Sequence, residues 1–145
     1  MLDNVSRENP LRIIIADDND LVRDVVRDLI EYGLSADCRT APSLQGAIEV
    51  ASHARFDLAL LDYNMPGMDG LVGVDRIMRC EVQNVALLSG RISNEIIADA
   101  IDLGVSGFLP KTLDPNAILE GVRAMCGGQK FPAQHFLDQL IRQTH

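Results

Sequence analysis

The chain has 145 residues, about one ordinary domain, and its 47% hydrophobic content is enough to bury a core. A formal net charge of -8 excludes a basic stripe for a phosphate backbone, so direct nucleic-acid binding by this segment is not expected. Residues 1–10 lack the apolar centre of a signal peptide, and no run approaches the roughly 18 apolar residues of a membrane helix, so a cytoplasmic chain with no membrane partner is expected.

In chain order, an N-terminal tail over 1–10 precedes the apolar run Leu11 to Ala16, which lacks polar alternation and reads as a strand buried on both faces. A helix follows, with Leu21/Val22, Val25/Val26 and Leu29/Ile30 spaced by four, and Gly33 is expected to stop it. Cys38 to Ala41 is the weakest strand signal. A second helix runs from Ser43 with Leu44, Ala47, Ile48 and Ala51 on one side.

Leu58 to Leu61 is the third strand, and Asp69 is expected to cap a third helix carrying Leu71, Val74, Ile77 and Met78. Val85 to Leu88 is the fourth, followed by a helix capped by Ser93 and ended at Gly104. Gly107 to Leu109 is the fifth, and Asp114-Pro115 opens the last helix with proline at its first position. Cys38, Cys80 and Cys126 are odd in number and far apart, which suits free thiols rather than a zinc site.

Five strands alternating with five helices predict an α/β fold. Right-handed crossovers make it a doubly wound, flavodoxin-like parallel sheet of order 2-1-3-4-5, spanning 11–127. Ligands of such sheets bind beyond the carboxyl ends of the strands, where strand order reverses. Asp17-Asp18 follow the first strand, Asp62 the third, Ser89 the fourth, and Lys111 the fifth after Pro110.

Singly, each has a bland explanation: a helix cap, a turn former, a solvated lysine. Together, three carboxylates at neighbouring strand ends repel one another unless a cation relieves them. Mg2+ suits an all-oxygen site and accepts a phosphate oxygen, so the cluster predicts phosphoryl chemistry with Mg2+, Ser89 and Lys111 neutralising the phosphoryl oxygens. Asp62, central in the sheet, is the best-placed nucleophile.

Ile13-Ile14-Ile15-Ala16-Asp17-Asp18, Leu60-Leu61-Asp62-Tyr63-Asn64-Met65-Pro66-Gly67-Met68-Asp69-Gly70, Leu88-Ser89-Gly90 and Gly104-Val105-Ser106-Gly107-Phe108-Leu109-Pro110-Lys111 stand in the order and spacing of a known family. Over about residues 11 to 126 the chain resembles the receiver domains of two-component response regulators. The resemblance implies that Asp62 takes phosphate from a phosphohistidine on a sensor histidine kinase or histidine phosphotransfer protein, and also from small donors such as acetyl phosphate. It implies Mg2+ held by Asp17, Asp18, Asp62 and the backbone carbonyl of Asn64. It further implies a switch in which Ser89 moves toward the phosphoryl group and Phe108 turns inward, changing the face made by the fourth helix, fifth strand and fifth helix. Phe108 brings no tyrosine hydroxyl to that switch. Asn64 and Arg91, two residues after Asp62 and Ser89, are expected to tune the lifetime of the phosphorylated state, with Gly90 leaving room for a bulky donor.

The sequence departs from many receivers in having Thr112, not proline, after the lysine, with Pro110 before it. Lys111-Thr112, Leu113-Asp114-Pro115 and Gly127-Gly128-Gln129-Lys130-Phe131-Pro132 look like the NarL/FixJ class, whose members usually continue into a helix-turn-helix DNA-binding domain. Residues 128–145, with Phe136, Leu137, Leu140 and Ile141 as an amphipathic stripe, fit a linker, a dimer contact or a sixth helix. Homodimerisation on phosphorylation and control of transcription through a further domain are expectations of that class. Three other functions stay open: a receiver without DNA-binding output, stand-alone or within a hybrid kinase; a phosphatase of the haloacid dehalogenase type, which Asp18, Asp20, Ser89 and Lys111 imitate; and an interaction module of the same fold that is never phosphorylated.

Overall fold

The computed structural model describes residues 10–90, 92–111 and 114–132. Five strands, β1 Arg12–Ala16, β2 Asp37–Ala41, β3 Leu58–Asp62, β4 Val85–Ser89 and β5 Gly107–Pro110, form a parallel sheet of order β2-β1-β3-β4-β5. The helices are α1 Asp20–Leu34, α2 Leu44–Ala51, α3 Leu71–Met78, α4 Asn94–Leu103 and α5 Pro115–Cys126. The expected doubly wound fold and its strand order are both found.

The period of two along each strand divides the core. Ile13 and Ile15 of β1 with Leu58 and Leu60 of β3 face α1 and α5, meeting Val26, Ile30, Ile118 and Val122. Ile14 with Leu61 and Leu87 faces α2, α3 and α4, meeting Leu44, Ala47, Val74 and Ile77. Burying each of the leucine, isoleucine and valine side chains here contributes up to about 1.5–3 kcal/mol, which is why the central strands are apolar on both faces.

The caps follow local chemistry. Ser43, Ser93 and Asp114 each accept a backbone N–H two or three residues into their helix, from Gly46, Ile96 and Ala117, and Gly104 ends α4 with φ 122°. Two expectations need correction. Gly33 does not stop α1; the helix ends one residue later and Ser35 takes the left-handed conformation at φ 53°. Gly33 is instead the point where α5 comes close, since a Cβ there would lie 2.6 Å from Leu119 Cδ1.

Asp69 is not the cap of α3. It has φ 50°, Gly70 occupies the cap position at φ 63°, and no side chain caps the helix. The turn is ordered instead by the Gly73 N–H donating to the Met68 carbonyl at 2.7 Å. The apolar pairs of α1 also divide: Val26 and Ile30 are buried, but Leu21 and Val25 are 72% and 55% exposed. Cys38 is buried and its thiol is pushed up to about 12 by desolvation, with smaller contributions from Glu31 and Asp37. No described helix is long and apolar enough to cross a membrane.

Candidate functional site

Sheet register brings the acidic residues together. Ala16 pairs with Leu61 across β1 and β3, so the next residues, Asp17 and Asp62, stand level on neighbouring strands. Backbone bonds hold these ends: Asp17 N–H donates to the Ala41 carbonyl at 3.0 Å, Tyr63 N–H to Leu88 at 3.2 Å and Lys111 N–H to Ser89 at 2.9 Å. Asp17, Asp62 and Ser89 are buried polar residues in a structure with few of them.

Lys111 closes the group. Its Nζ lies 2.9 Å from Asp17 Oδ2 and 3.3 Å from Asp62 Oδ2. Asp17 Oδ1 accepts from the Asn19 N–H at 2.9 Å and Asp62 Oδ1 from the Asn64 N–H at 3.0 Å. Each buried carboxylate therefore has one oxygen tied to its own loop and one facing the shared space. Arg23 adds a bond from Nη1 to the Asp17 carbonyl at 3.0 Å, fixing α1 to the strand end.

The electrostatics is a balance. Desolvation raises the Asp62 pKa, and the Asp17 carboxylate raises it too; the Asn64 N–H and the Lys111 ammonium act against both without cancelling them. For Lys111, burial works against the ammonium, but the contact with Asp17 and the charges of Asp62 and Asp17 outweigh it, and its pKa is raised.

The residues fit a hard divalent cation. Carboxylate oxygens of Asp17, Asp18 and Asp62 lie within 4.8 Å of one another, two of these residues buried and Asp18 exposed. Asp17 Oδ2 is buried and meets Lys111 as a charge contact, without a well-directed hydrogen bond among the described residues. An oxygen of that kind, in an all-oxygen set open to solvent on the Asp18 side, is a suitable ligand for an ion that keeps part of its water.

Ser89 and Phe108 stand next to this cluster on the α4 side. They share a hollow of about 280 Å³ with Ile92, Ile97 and Pro110, and Phe108 is half-buried against the core. Arg91, Thr112 and the stripe Phe136, Leu137, Leu140 and Ile141 lie outside the described residues.

The Response regulator receiver domain family model matches residues 13–123, three quarters of the chain. The chain belongs to that family. Among curated relatives, the receiver is 34% identical to the nitrate/nitrite response regulator protein NarP of Escherichia coli strain K12 over 137 residues, 92% of this chain and 63% of NarP. It is 29% identical to NarL of the same organism over 128 residues, 86% of this chain and 59% of NarL. A solved LuxR family DNA-binding response regulator from Silicibacter pomeroyi superposes with a TM-score of 0.71 at 30% identity, covering 86% of this chain and 98% of that one. The NarL/FixJ likeness expected from the sequence is thus found, and the chain spans about three fifths of the curated relatives' length. Receivers are signalling domains, not turnover enzymes, and the dehalogenase-type phosphatase reading falls with this assignment.

Two features were missed in the sequence. One is Arg23, whose i,i+3 spacing to Asp20 concealed its reach to the Asp17 carbonyl. The other is Phe131, whose carbonyl bonds the backbone of Phe108 at 3.0 Å and whose partner strand is not contiguous with it.

Proposed function

We propose that this receiver is a phosphorylation-activated switch whose acceptor is Asp62. The observation that carries the reading is the Lys111 ammonium held against both Asp62 and Asp17 at the sheet's carboxyl end, beside a third carboxylate. That set has one nucleophilic oxygen, one fixed positive charge and room for a cation, and phosphoryl transfer needs little more than such positioning.

In the transfer, an Asp62 oxygen forms a bond to phosphorus as the donor's P–N bond breaks, and the electron pair leaves with the imidazole nitrogen, which takes a proton. Lys111 and the Ser89 hydroxyl neutralise phosphoryl oxygens, and the Asn64 N–H holds Asp62 Oδ1 in place. Mg2+, held by Asp17, Asp18, Asp62 and the Asn64 carbonyl, supplies charge neutralisation at the phosphoryl oxygens when bound. Ser89 moving toward the phosphoryl group vacates part of the hollow it shares with Phe108, and the ring turns inward, changing the α4-β5-α5 face. Asn64 and Arg91 set the hydrolytic lifetime.

The donor is a sensor histidine kinase or a histidine phosphotransfer protein. Homodimerisation follows phosphorylation, and the output is transcription control through a DNA-binding domain beyond this segment, a reading supported by the greater length of NarP and NarL and by the DNA-binding regulator among the solved structures. The segment itself, at net charge -8, does not bind nucleic acid and acts in the cytoplasm. The test is intact mass after incubation with Mg2+ and acetyl phosphate or a phosphorylated kinase. One added phosphate on the wild type, absent from Asp62→Asn, is expected; no adduct from any competent donor would leave an interaction module of the same fold.

A further inference from the structure

β5 is the shortest strand and lies at the sheet's edge, paired on one side to β4. Lys111 directly follows its last residue, so any slippage of β5 moves the ammonium away from Asp62 and Asp17. Edge strands with an open side are the least constrained part of a sheet. Here the open side is closed by the chain itself. After α5, Gly128 turns at φ 87°, its N–H donating to the Met125 carbonyl, and the chain runs back beside β5.

The returning segment holds β5 and the two residues that lead into it at three points, one of them on the strand itself. Phe131 N–H donates to the Ser106 carbonyl at 3.1 Å, Phe108 N–H donates to the Phe131 carbonyl at 3.0 Å, and Lys130 Nζ reaches the Val105 carbonyl at 3.1 Å. The approach requires Gly107, because a Cβ there would overlap the Phe131 carbonyl oxygen. The Phe131 ring packs against the α1/α5 side of the core, where a Cβ on Gly121 would lie 2.8 Å from both Phe131 Cδ2 and Leu109 Cδ2. Leu109, two residues before Lys111, is fully buried there.

We infer that Phe131 is a positioning residue for phosphoryl transfer: it locks the edge strand β5 from its free side and so holds the Lys111 ammonium against Asp62. The inference rests on the reading of Asp62 as acceptor and Lys111 as its cationic partner. Its distinguishing consequence is that Phe131 acts through Lys111 and not through the metal ligands, none of which lies on β5.

The experiment measures the rate of acetyl phosphate phosphorylation of the full chain at saturating Mg2+, well below each variant's melting temperature. Phe131→Ala is expected to slow it roughly three- to tenfold, since a misplacement of an ångström or less at a catalytic group has effects of that order or larger. Mg2+ affinity by calorimetry is not expected to fall, because drawing the ammonium off Asp17 and Asp62 removes a competing cation and no ligand, and Phe131→Leu is expected to recover most of the rate. In a Lys111→Ala background Phe131→Ala should add no further loss, because the group it positions is gone. Amide exchange at Phe108 and Lys111 should speed up in Phe131→Ala.

If Phe131→Ala fails to fold, Phe131→Leu and Phe131→Val, measured in both Lys111 backgrounds, carry the same test. A wild-type rate in the destabilised Phe131 variants, or equal losses with and without Lys111, would overturn the inference while leaving Asp62 as acceptor. A wild type that takes no phosphate although it binds Mg2+ would overturn the acceptor reading, and this inference with it.

Discussion

The Lys111 ammonium sits 2.9 Å from Oδ2 of Asp17, a carboxylate with no solvent exposure, so one partly exposed cation balances the most deeply buried anion of the sheet's carboxyl end. Without it, Asp17 and Asp62 are two buried carboxylates facing each other. Lys111→Ala is therefore expected to cost about 2 kcal/mol of folding free energy in the absence of metal, less than for a fully buried pair because the ammonium is partly hydrated. Mg2+ at ten times its dissociation constant should return about 1.4 kcal/mol to either protein by binding the folded state alone. Thermal melts with and without Mg2+ check both values, and Asp18→Asn should reduce the Mg2+ gain.

Asp62 gives stability a definite pH dependence. Its folded pKa is raised by desolvation and by Asp17, so the folded state holds the proton more tightly than the unfolded chain does. The resulting contribution is fully present below the ordinary carboxylate range and is lost as pH rises through the raised value. In metal-free buffer, Asp62→Asn should melt higher than the wild type at neutral pH, and the gap should shrink on acidification. A gap that stays constant or widens at low pH would contradict the assigned direction.

Two helix-interior glycines should respond differently to alanine, although propensity favours alanine by about 1 kcal/mol at both. At Gly73 a Cβ would overlap the Met68 carbonyl oxygen and lie 2.7 Å from Met68 Cα, backbone that cannot yield without breaking the turn before α3. At Gly33 the obstacle is the end of the Leu119 side chain, which can rotate. Gly73→Ala is expected to destabilise by about 2 kcal/mol or more and Gly33→Ala by less than about 1 kcal/mol in either direction, read from urea unfolding.

Leu21 and Val25 are exposed one turn apart near the start of α1, three to eight residues from the Asp17-Asp18 pair, and the prediction is that a phosphohistidine donor docks on them. Replacing both with serine should slow transfer from a phosphohistidine protein by about tenfold, the effect of losing about 1.4 kcal/mol of contact. The acetyl phosphate rate and the melting temperature should stay near those of the wild type. Equal loss with both donors would place the effect in the site itself.

By itself the sequence determined the alternation of strands and helices, because period-two and period-four apolar patterns and cap residues such as Ser43, Ser93 and Asp114 are local signals, while the expected strand order came from the general crossover rule for such sheets. Strand-end position then brought Asp17, Asp18, Asp62, Ser89 and Lys111 into one cluster without coordinates. Tertiary structure alone decided the rest. The same spacing that buries Val26 and Ile30 leaves Leu21 and Val25 exposed, since the sheet meets only one side of α1. Gly33 reads as a helix stop until Leu119, distant in sequence, is seen to need its space, and Asp69 reads as a cap until the backbone bond from Gly73 to Met68 makes one unnecessary. The closing of β5 by Phe131 depends on a turn at Gly128 and a gap at Gly107 whose meaning exists only when the two segments lie side by side.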